Sequence, residues 1–202
     1  MKRENENIES ICTAFLGQEI LWIVTPPFEY DIKNNVYWLE EDQGTRAESK
    51  TIKAQMLIHL KQSGQKYIFG LTDNWHEENG ICYPLFSLNF QIDGELEVMK
   101  SKKEYSPVNV LAGIDFQISE IELWNRMDNF NNVYIKDDVI RIDTIIFYSN
   151  DNRQMVIQAL ESVSQENCIK LRIRNTLNKE IELEKKYQME LISQIGNPAG
   201  NN

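Results

Sequence analysis

LTDNWHEENGICYPL, residues 71 to 85, gathers a Trp, a His, a Cys and three acids into a short stretch. Asp73, His76, Glu77, Glu78 and Cys82 are each competent metal ligands. A tetrahedral site, however, needs paired spacing, either two ligands on one helix face or a C-x-x-C. One His with scattered acids has neither. The only other histidine is His59. A two-residue turn at Ser63-Gly64 would place it opposite Ile68, eight residues before His76. At ~3.3 Å per strand residue that is on the order of 25 Å of extended chain, too far for a shared site.

Nucleophilic chemistry is no better supported. Cys82 with His76 would need the imidazole folded back onto the thiol and an oxyanion hole beside it. Cys82 instead sits between Ile81 and Tyr83 at the start of an apolar strand, where a free Cys is usually core. No G-x-S-x-G, G-x-x-x-x-G-K-[ST] or G-x-G-x-x-G occurs. The acids Asp115, Glu120, Glu122, Asp137, Asp138 and Asp143 could meet across strands for carboxylate-based hydrolysis, although a solvated acidic face is the ordinary result of such a composition. No catalytic residue, metal or cofactor is assigned.

Trp75 carries more weight. A large aromatic flanked by Asp73, His76, Glu77 and Glu78 is either tucked onto the domain or offered to a partner as a contact ringed by steering charge. Trp124, just before an Asn-rich stretch, poses the same choice. These six residues are the candidate partner-binding set.

The whole-chain balance favours such a role. The chain has 202 residues, with 21 basic against 31 acidic side chains and a net charge of −10. That field repels nucleic acid and speeds encounter with a basic protein. A basic row at Lys170, Arg172 and Arg174 is expected to be neutralised by Glu184, Glu182 and Glu180 across a hairpin. Three scattered cysteines without a C-x-x-C fit a reducing compartment. With no signal-like segment and no apolar run of membrane-spanning length, the expected location is cytoplasmic. The abundance of Asn, Ile and Lys suggests an AT-rich, microbial or viral source.

The elements that must position these residues are mostly strands. Ile8, Ile11, Cys12, Phe15 and Leu16 form a helical stripe over residues 4 to 16, stopped by Gly17. The apolar run EILWIVT, ended by Pro26-Pro27, reads as a strand, and strict alternation predicts strands at TIKAQMLIHLK with its return, at Phe86–Ile92, and at 108 to 118. Parity slips before Ile121 and Leu123, which predicts a bulge or the strand's end. YDIKNNVYWLE predicts a hairpin about Asn34-Asn35, pairing Ile32 with Tyr37. The companion hairpin pairs Leu60 with Tyr67 and Ile58 with Phe69. Residues 72 to 80 read as a loop, and NRMDNFNN (125 to 132) as another. IRIDTIIFYS is apolar enough for a central strand. The spacing predicts helices at 152 to 163, capped by Asn152, and at 185 to 195, where Tyr187, Leu191 and Ile195 align. A strand over QMVIQAL competes with the first.

The expected fold is therefore α+β. A mainly antiparallel, hairpin-built β-sheet, as a sandwich or partly open barrel, carries an N-terminal helix and C-terminal helices. It forms one domain over 1–202, with two lobes meeting near 125–132 and a flexible tail at 196–202. The expected function is a non-enzymatic acidic binding protein acting by protein–protein contact, of immunity, inhibitor or antitoxin type. The alternatives are a carboxylate-based hydrolase of unfamiliar type and a subunit of a larger assembly.

Overall fold

The computed structural model describes residues 10–25, 29–31, 36–40, 55–78, 81–92, 109–127, 129–130, 133–134, 142–161, 167–175 and 188–196. One helical turn, α1 (residues 10–13), precedes the strands. They are β1 (Glu19–Thr25), β2 (Glu29–Asp31), β3 (Val36–Glu40), β4 (Gln55–Leu60), β5 (Lys66–Glu78), β6 (Ile81–Ile92), β7 (Asn109–Met127), β8 (Asn129–Phe130), β9 (Val133–Tyr134), β10 (Thr144–Ser149), β11 (Arg153–Glu161), β12 (Asn167–Asn175) and β13 (Gln188–Gly196). Eleven strands join one sheet in the order β2-β3-β12-β11-β10-β7-β1-β4-β5-β6, with β13 also on β7, and β8 pairs β9 separately. Every pairing is antiparallel, as one-sided alternation predicts.

The sheet curls over its own core. β6 lies against β11 and β5 against β12, although each pair is far apart in the ladder. The amide of Leu88 on β6 donates to the carbonyl of Ile142, just before β10 (2.8 Å). One cluster unites Ile20, Ile23, Met56, Ile58 and Leu60 from one limb with Phe147, Met155, Ile157, Ile169 and Leu171 from the other. Phe15, following α1, fills the space between them. Its ring lies 4.4 Å from Tyr67, 6.0 Å from Phe69 and 5.4 Å from Phe147. Gly17 ends this segment at φ +73°, the left-handed cap expected of it, and its amide donates to Ile118 (2.8 Å). Residues 4 to 9 of the expected helix lie outside the described residues.

β7 is the spine of the fold. Its first half, from Asn109 to Gln117, pairs with β1, and its second half pairs with β10 and β13. The anticipated parity slip is a bulge. Ile118 faces Ser149 and Glu120 faces Tyr148, leaving Ser119 as the extra residue. Phe116 and Ile118 before it, and Ile121 and Leu123 after it, consequently all reach the core. A Cβ on Gly196 would meet the carbonyl oxygen of Ser119 at 2.7 Å, so β13 approaches this bulge as only glycine allows.

Several sequence-based expectations are corrected. Residues 153–161 are a strand, not a helix. Met155, Ile157 and Ala159 alternate into the core while Gln154, Val156 and Gln158 are buried on the other face. Buried glutamines disguise a strand covered on both sides. Asn152 is not a helix cap but a left-handed turn residue at φ +63°. Residues 188–196 are likewise a strand, while residues 185–187 of that expected helix, Tyr187 among them, lie outside the described residues. A bulge between Leu191 and Ser193 turns Leu191 toward Trp124 and Ile195 toward Ile121, on opposite faces, so their helical spacing is coincidental. The expected loop at 72–80 is mostly ladder, because β5 and β6 stay paired until Glu78 meets Ile81. Only Asn79 and Gly80 lie between, a strong two-residue hairpin signal. Residues 125–127 belong to β7 rather than to a loop, and β8 and β9 take residues within or just after the rest of it.

Both early hairpins form, each two residues out of the expected register. Tyr30 faces Tyr37, and Ile58 faces Tyr67. The turn after β4 is longer than Ser63-Gly64 alone: the Gly64 amide returns to the Leu60 carbonyl (3.1 Å), and the Leu60 amide donates to Gln65 (3.0 Å). A two-residue slip preserves the faces, so alternation does not detect it. The charged hairpin fares differently. Both edges of β12 are taken from Cys168 to Arg172, by β11 and β3. Lys170 and Arg172 therefore have Gln158 with Trp38, and Val156 with Val36, as ladder neighbours, not Glu184 and Glu182. Glu180, Glu182 and Glu184 lie outside the described residues.

β10 is the central strand expected of it, buried on both faces. Beyond it the chain turns sharply around Ser149, whose hydroxyl accepts from the Arg153 amide (3.0 Å) and donates to the Asp151 carboxylate. The Arg153 guanidinium bonds the same carboxylate (2.8 Å). These hydrogen bonds from Arg153 and Ser149 lower the Asp151 pKa from 3.8 to about 2. A lowered carboxylate pKa stabilises the fold above the unfolded value and loses that effect as pH falls through the folded one. The advantage of wild type over Asp151→Asn should thus be complete above about pH 5, fade as pH falls through about 2 and be gone only near pH 1. It should also be small, because the side chain is 56% exposed. Urea melts across that window check it; an advantage persisting unchanged at the acid end would refute the linkage.

Candidate interaction surface

The face of β7, β10 and β13 turned away from the main core, buried over β10 and opening at β13, holds the best-defined polar and aromatic constellation among the described side chains. Strand alternation puts Glu120, Glu122 and Trp124 on one side of β7 once the Ser119 bulge has reset parity. Cross-strand pairing sets Glu120 beside Tyr148, Glu122 beside Ile146 and Trp124 beside Thr144. On the other edge, Gln194 pairs with Glu122 and Leu191 with Trp124.

Glu122 organises the group. Its Oε2 accepts from the Tyr148 hydroxyl (2.8 Å) and from the Trp124 indole Nε1–H (3.0 Å). The indole's polar end is thereby satisfied while its ring packs against the apolar cluster of Ile146, Tyr148 and Val156. Glu120, only 3% exposed, accepts from the Gln194 amide. Next to this fixed frame stands Leu191, 43% exposed and directly opposite Trp124. A half-buried Trp of fixed orientation beside an exposed Leu, edged by the Glu122 carboxylate, is suited to contact. Glu122 is already engaged as a double acceptor, which suits positioning better than proton transfer.

The candidate residues do not gather in one place. Trp124 belongs to this group. Asp73, Trp75, His76, Glu77 and Glu78 lie on the distal half of β5, in register with Phe86, Pro84, Tyr83, Cys82 and Ile81 of β6. In ladder order β1 and β4 separate β5 from β7. Their side chains lie outside the described set. Among the described residues β6 is the last strand of the ladder, a position that tolerates Pro84.

The histidines stay apart. His59 pairs with Lys66, so ten residues of continuous β5 separate that position from His76. That is roughly 33 Å of strand, more than the sequence-based register implied. His59 acts locally instead. Its Nε2 bonds the Gly64 carbonyl (3.1 Å), and its ring tilts against Trp22 at 4.5 Å. Among the described residues, no three His, Cys, Asp or Glu side chains are grouped to hold a metal ion. Of the dispersed acids, Glu120 and Glu122 share one face, Asp115 lies in a bulge of β7, and Asp143 is buried at the entry to β10. Asp137 and Asp138 lie outside the described residues.

Sequence reasoning does not single out Tyr148, Gln194 or Leu191. The i, i+2 relation of Glu122 and Trp124 is legible on a strand, but the spacing around Leu191 imitates a helix. No known protein family, characterised protein or solved structure matches the chain. No helix among the described residues is long and apolar enough to cross a membrane.

Proposed function

We propose that this chain is a non-enzymatic, acidic binding protein that acts by protein–protein contact, in the manner of an immunity protein, inhibitor or antitoxin. The observation that carries this reading is Leu191, exposed and paired with a Trp124 whose indole is held by Glu122. Pre-orientation lowers the entropy lost on binding, so an anchored Trp with an apolar neighbour has the makings of a hot spot. The net charge of −10 supports a basic partner, met rapidly at low salt. The same charge argues against nucleic acid. Asp73, Trp75, His76, Glu77 and Glu78 form a second part of the proposed contact, on the distal half of β5. The proposed location is the cytoplasm of a microbial cell, and the curled sheet is proposed to be a partly open barrel.

The test is affinity capture from the source cell, followed by titration of the purified partner against wild type, Trp124→Ala, Leu191→Lys and Trp75→Ala. Truncating a hot-spot Trp costs about 2 kcal/mol or more, so Trp124→Ala should weaken binding at least roughly thirtyfold with the fold intact by circular dichroism. Affinity should fall as salt rises. If the partner binds all three variants as tightly as wild type, this surface is not the contact.

A further inference from the structure

Glu122 is a half-buried carboxylate whose charge is met by neutral donors alone. The Tyr148 hydroxyl and the Trp124 indole both donate to Oε2. Among the described residues its second oxygen, Oε1, has no donor, and no Lys, Arg or His lies within ion-pair distance. Nor is Oε1 sealed in the interior. A charge drawn partly out of water is costly until it is paired, and this open oxygen is where a cation would pair with it.

The sheet sets the walls around that oxygen. Strand alternation places Glu122 and Trp124 on one face of β7, and Leu191 of β13 stands opposite Trp124. The indole is fixed, because its Nε1–H is committed to Glu122 and its ring packs on Ile146, Tyr148 and Val156. It nevertheless stays partly exposed. A cation on Oε1 therefore stands beside an aromatic ring of set orientation, with the exposed Leu191 to receive an apolar stem. Guanidinium suits this arrangement better than ammonium. It is more weakly hydrated, so it gives up less on entering a half-buried site. It is also planar, so it can stack on an indole while donating one N–H to the oxygen.

We infer that an arginine of the protein partner docks here, its guanidinium donating to Glu122 Oε1 and stacking on Trp124 while its methylenes lie along Leu191. This rests on the proposed protein–protein contact and names the group on the partner that this part of it receives. The net charge of −10 favours the same occupant, since it draws a basic partner toward the face.

The experiment is a nuclear magnetic resonance titration of the full chain, read at the Trp124 indole N–H, which is assigned by its loss in Trp124→Phe. The probes are N-acetylarginine amide, N-acetyllysine amide and the neutral isostere N-acetylcitrulline amide, at constant ionic strength. The arginine probe should move the resonance saturably, the lysine probe should bind more weakly, and the citrulline probe should not bind. Glu122→Gln keeps an oxygen that accepts from Tyr148 and Trp124 but removes the charge. It should weaken the arginine probe by about tenfold or more, the worth of one hydrogen bond to a charged group. Leu191→Lys, at an exposed position, tethers a competing cation beside Glu122 and should weaken the probe likewise, so the test survives if Glu122→Gln fails to fold. Three results would overturn the inference: no saturable shift in wild type, equal binding of lysine or citrulline, or arginine binding unchanged in a folded variant. Because the probes need no partner, such a failure is distinct from failure of the contact itself, which shows as a partner indifferent to Trp124→Ala.

Discussion

Phe15→Ala is expected to lower the free energy of unfolding by about 3–5 kcal/mol, the usual cost of deleting a fully buried phenyl ring. The ring is wholly buried, and it touches both limbs of the sheet at once: Tyr67 and Phe69 on β5, and Phe147 on β10. Truncation leaves a cavity that no single strand can fill by moving, since each wall is tied into its own ladder. Offset and edge-on aromatic contacts add about 0.5–1.5 kcal/mol each beyond area, which places the loss toward the upper end. Against a typical total of roughly 5–15 kcal/mol, the variant would be marginal at physiological temperature. Urea melts read the effect directly. Phe15→Leu should cost less, and Val110→Ala, at an exposed position, should stay within about 0.5 kcal/mol of wild type. A Phe15→Ala midpoint equal to that of Val110→Ala would mean that this ring does not join the two limbs.

Alternation carries most of what is legible in the sequence, and its reach has a physical limit. Period 2 specifies which face a residue takes, not which partner it meets. The register of a hairpin depends on loop length, and Ser63-Gly64 and Asn34-Asn35 each admit loops that differ by two residues without exposing an apolar side chain. Ile58 accordingly meets Tyr67 rather than Phe69, on the expected face. Helical spacing fails for a different reason. Val156, Ala159, Leu160 and Val163 resemble a stripe only if Gln154 and Gln158 are taken as solvent-facing, yet both are buried in a sheet covered on its two sides. Leu191 and Ile195 resemble a stripe only if the bulge between them is overlooked. The polar run from Asp73 to Glu78 passes for a loop because composition outweighs Asn79-Gly80, the signal that a hairpin is still in progress. The candidate surface inherits these limits. Trp124 is visible as an aromatic of interest, but its neighbour Leu191 comes from a strand more than sixty residues away whose spacing imitates a helix.

Deleting Ser119 is the severest single change expected. The residue adds little through its side chain, a hydroxyl donating to the Tyr148 carbonyl at 3.1 Å. Its importance is one of counting. Ile118 before the bulge and Ile121 and Leu123 after it all reach the core only because one unpaired residue resets the alternation between them. Without it, every side chain downstream on β7 changes face. Ile121 and Leu123 turn away from the core, forfeiting about 1.5–3 kcal/mol each. Glu122 turns into it, at several kcal/mol for a buried carboxylate lacking a cation, and the already buried Glu120 loses the Gln194 side-chain amide that it accepts from. The total, on the order of 10 kcal/mol, is comparable to the whole stability of a domain of this size. Flipping the upstream half instead would expel Phe116 and Ile118 and strip β1 of its register, so no inexpensive escape exists. The deletion variant should therefore show no cooperative unfolding transition. Ser119→Ala keeps the residue count and should lose only about 1 kcal/mol, the worth of one hydrogen bond. Circular dichroism and urea melts of the two variants separate counting from chemistry. A deletion variant that melts cooperatively within about 2 kcal/mol of wild type would show that β7 has another way to restore its parity, such as moving the bulge toward Gly113–Asp115, where the backbone already departs from strand geometry.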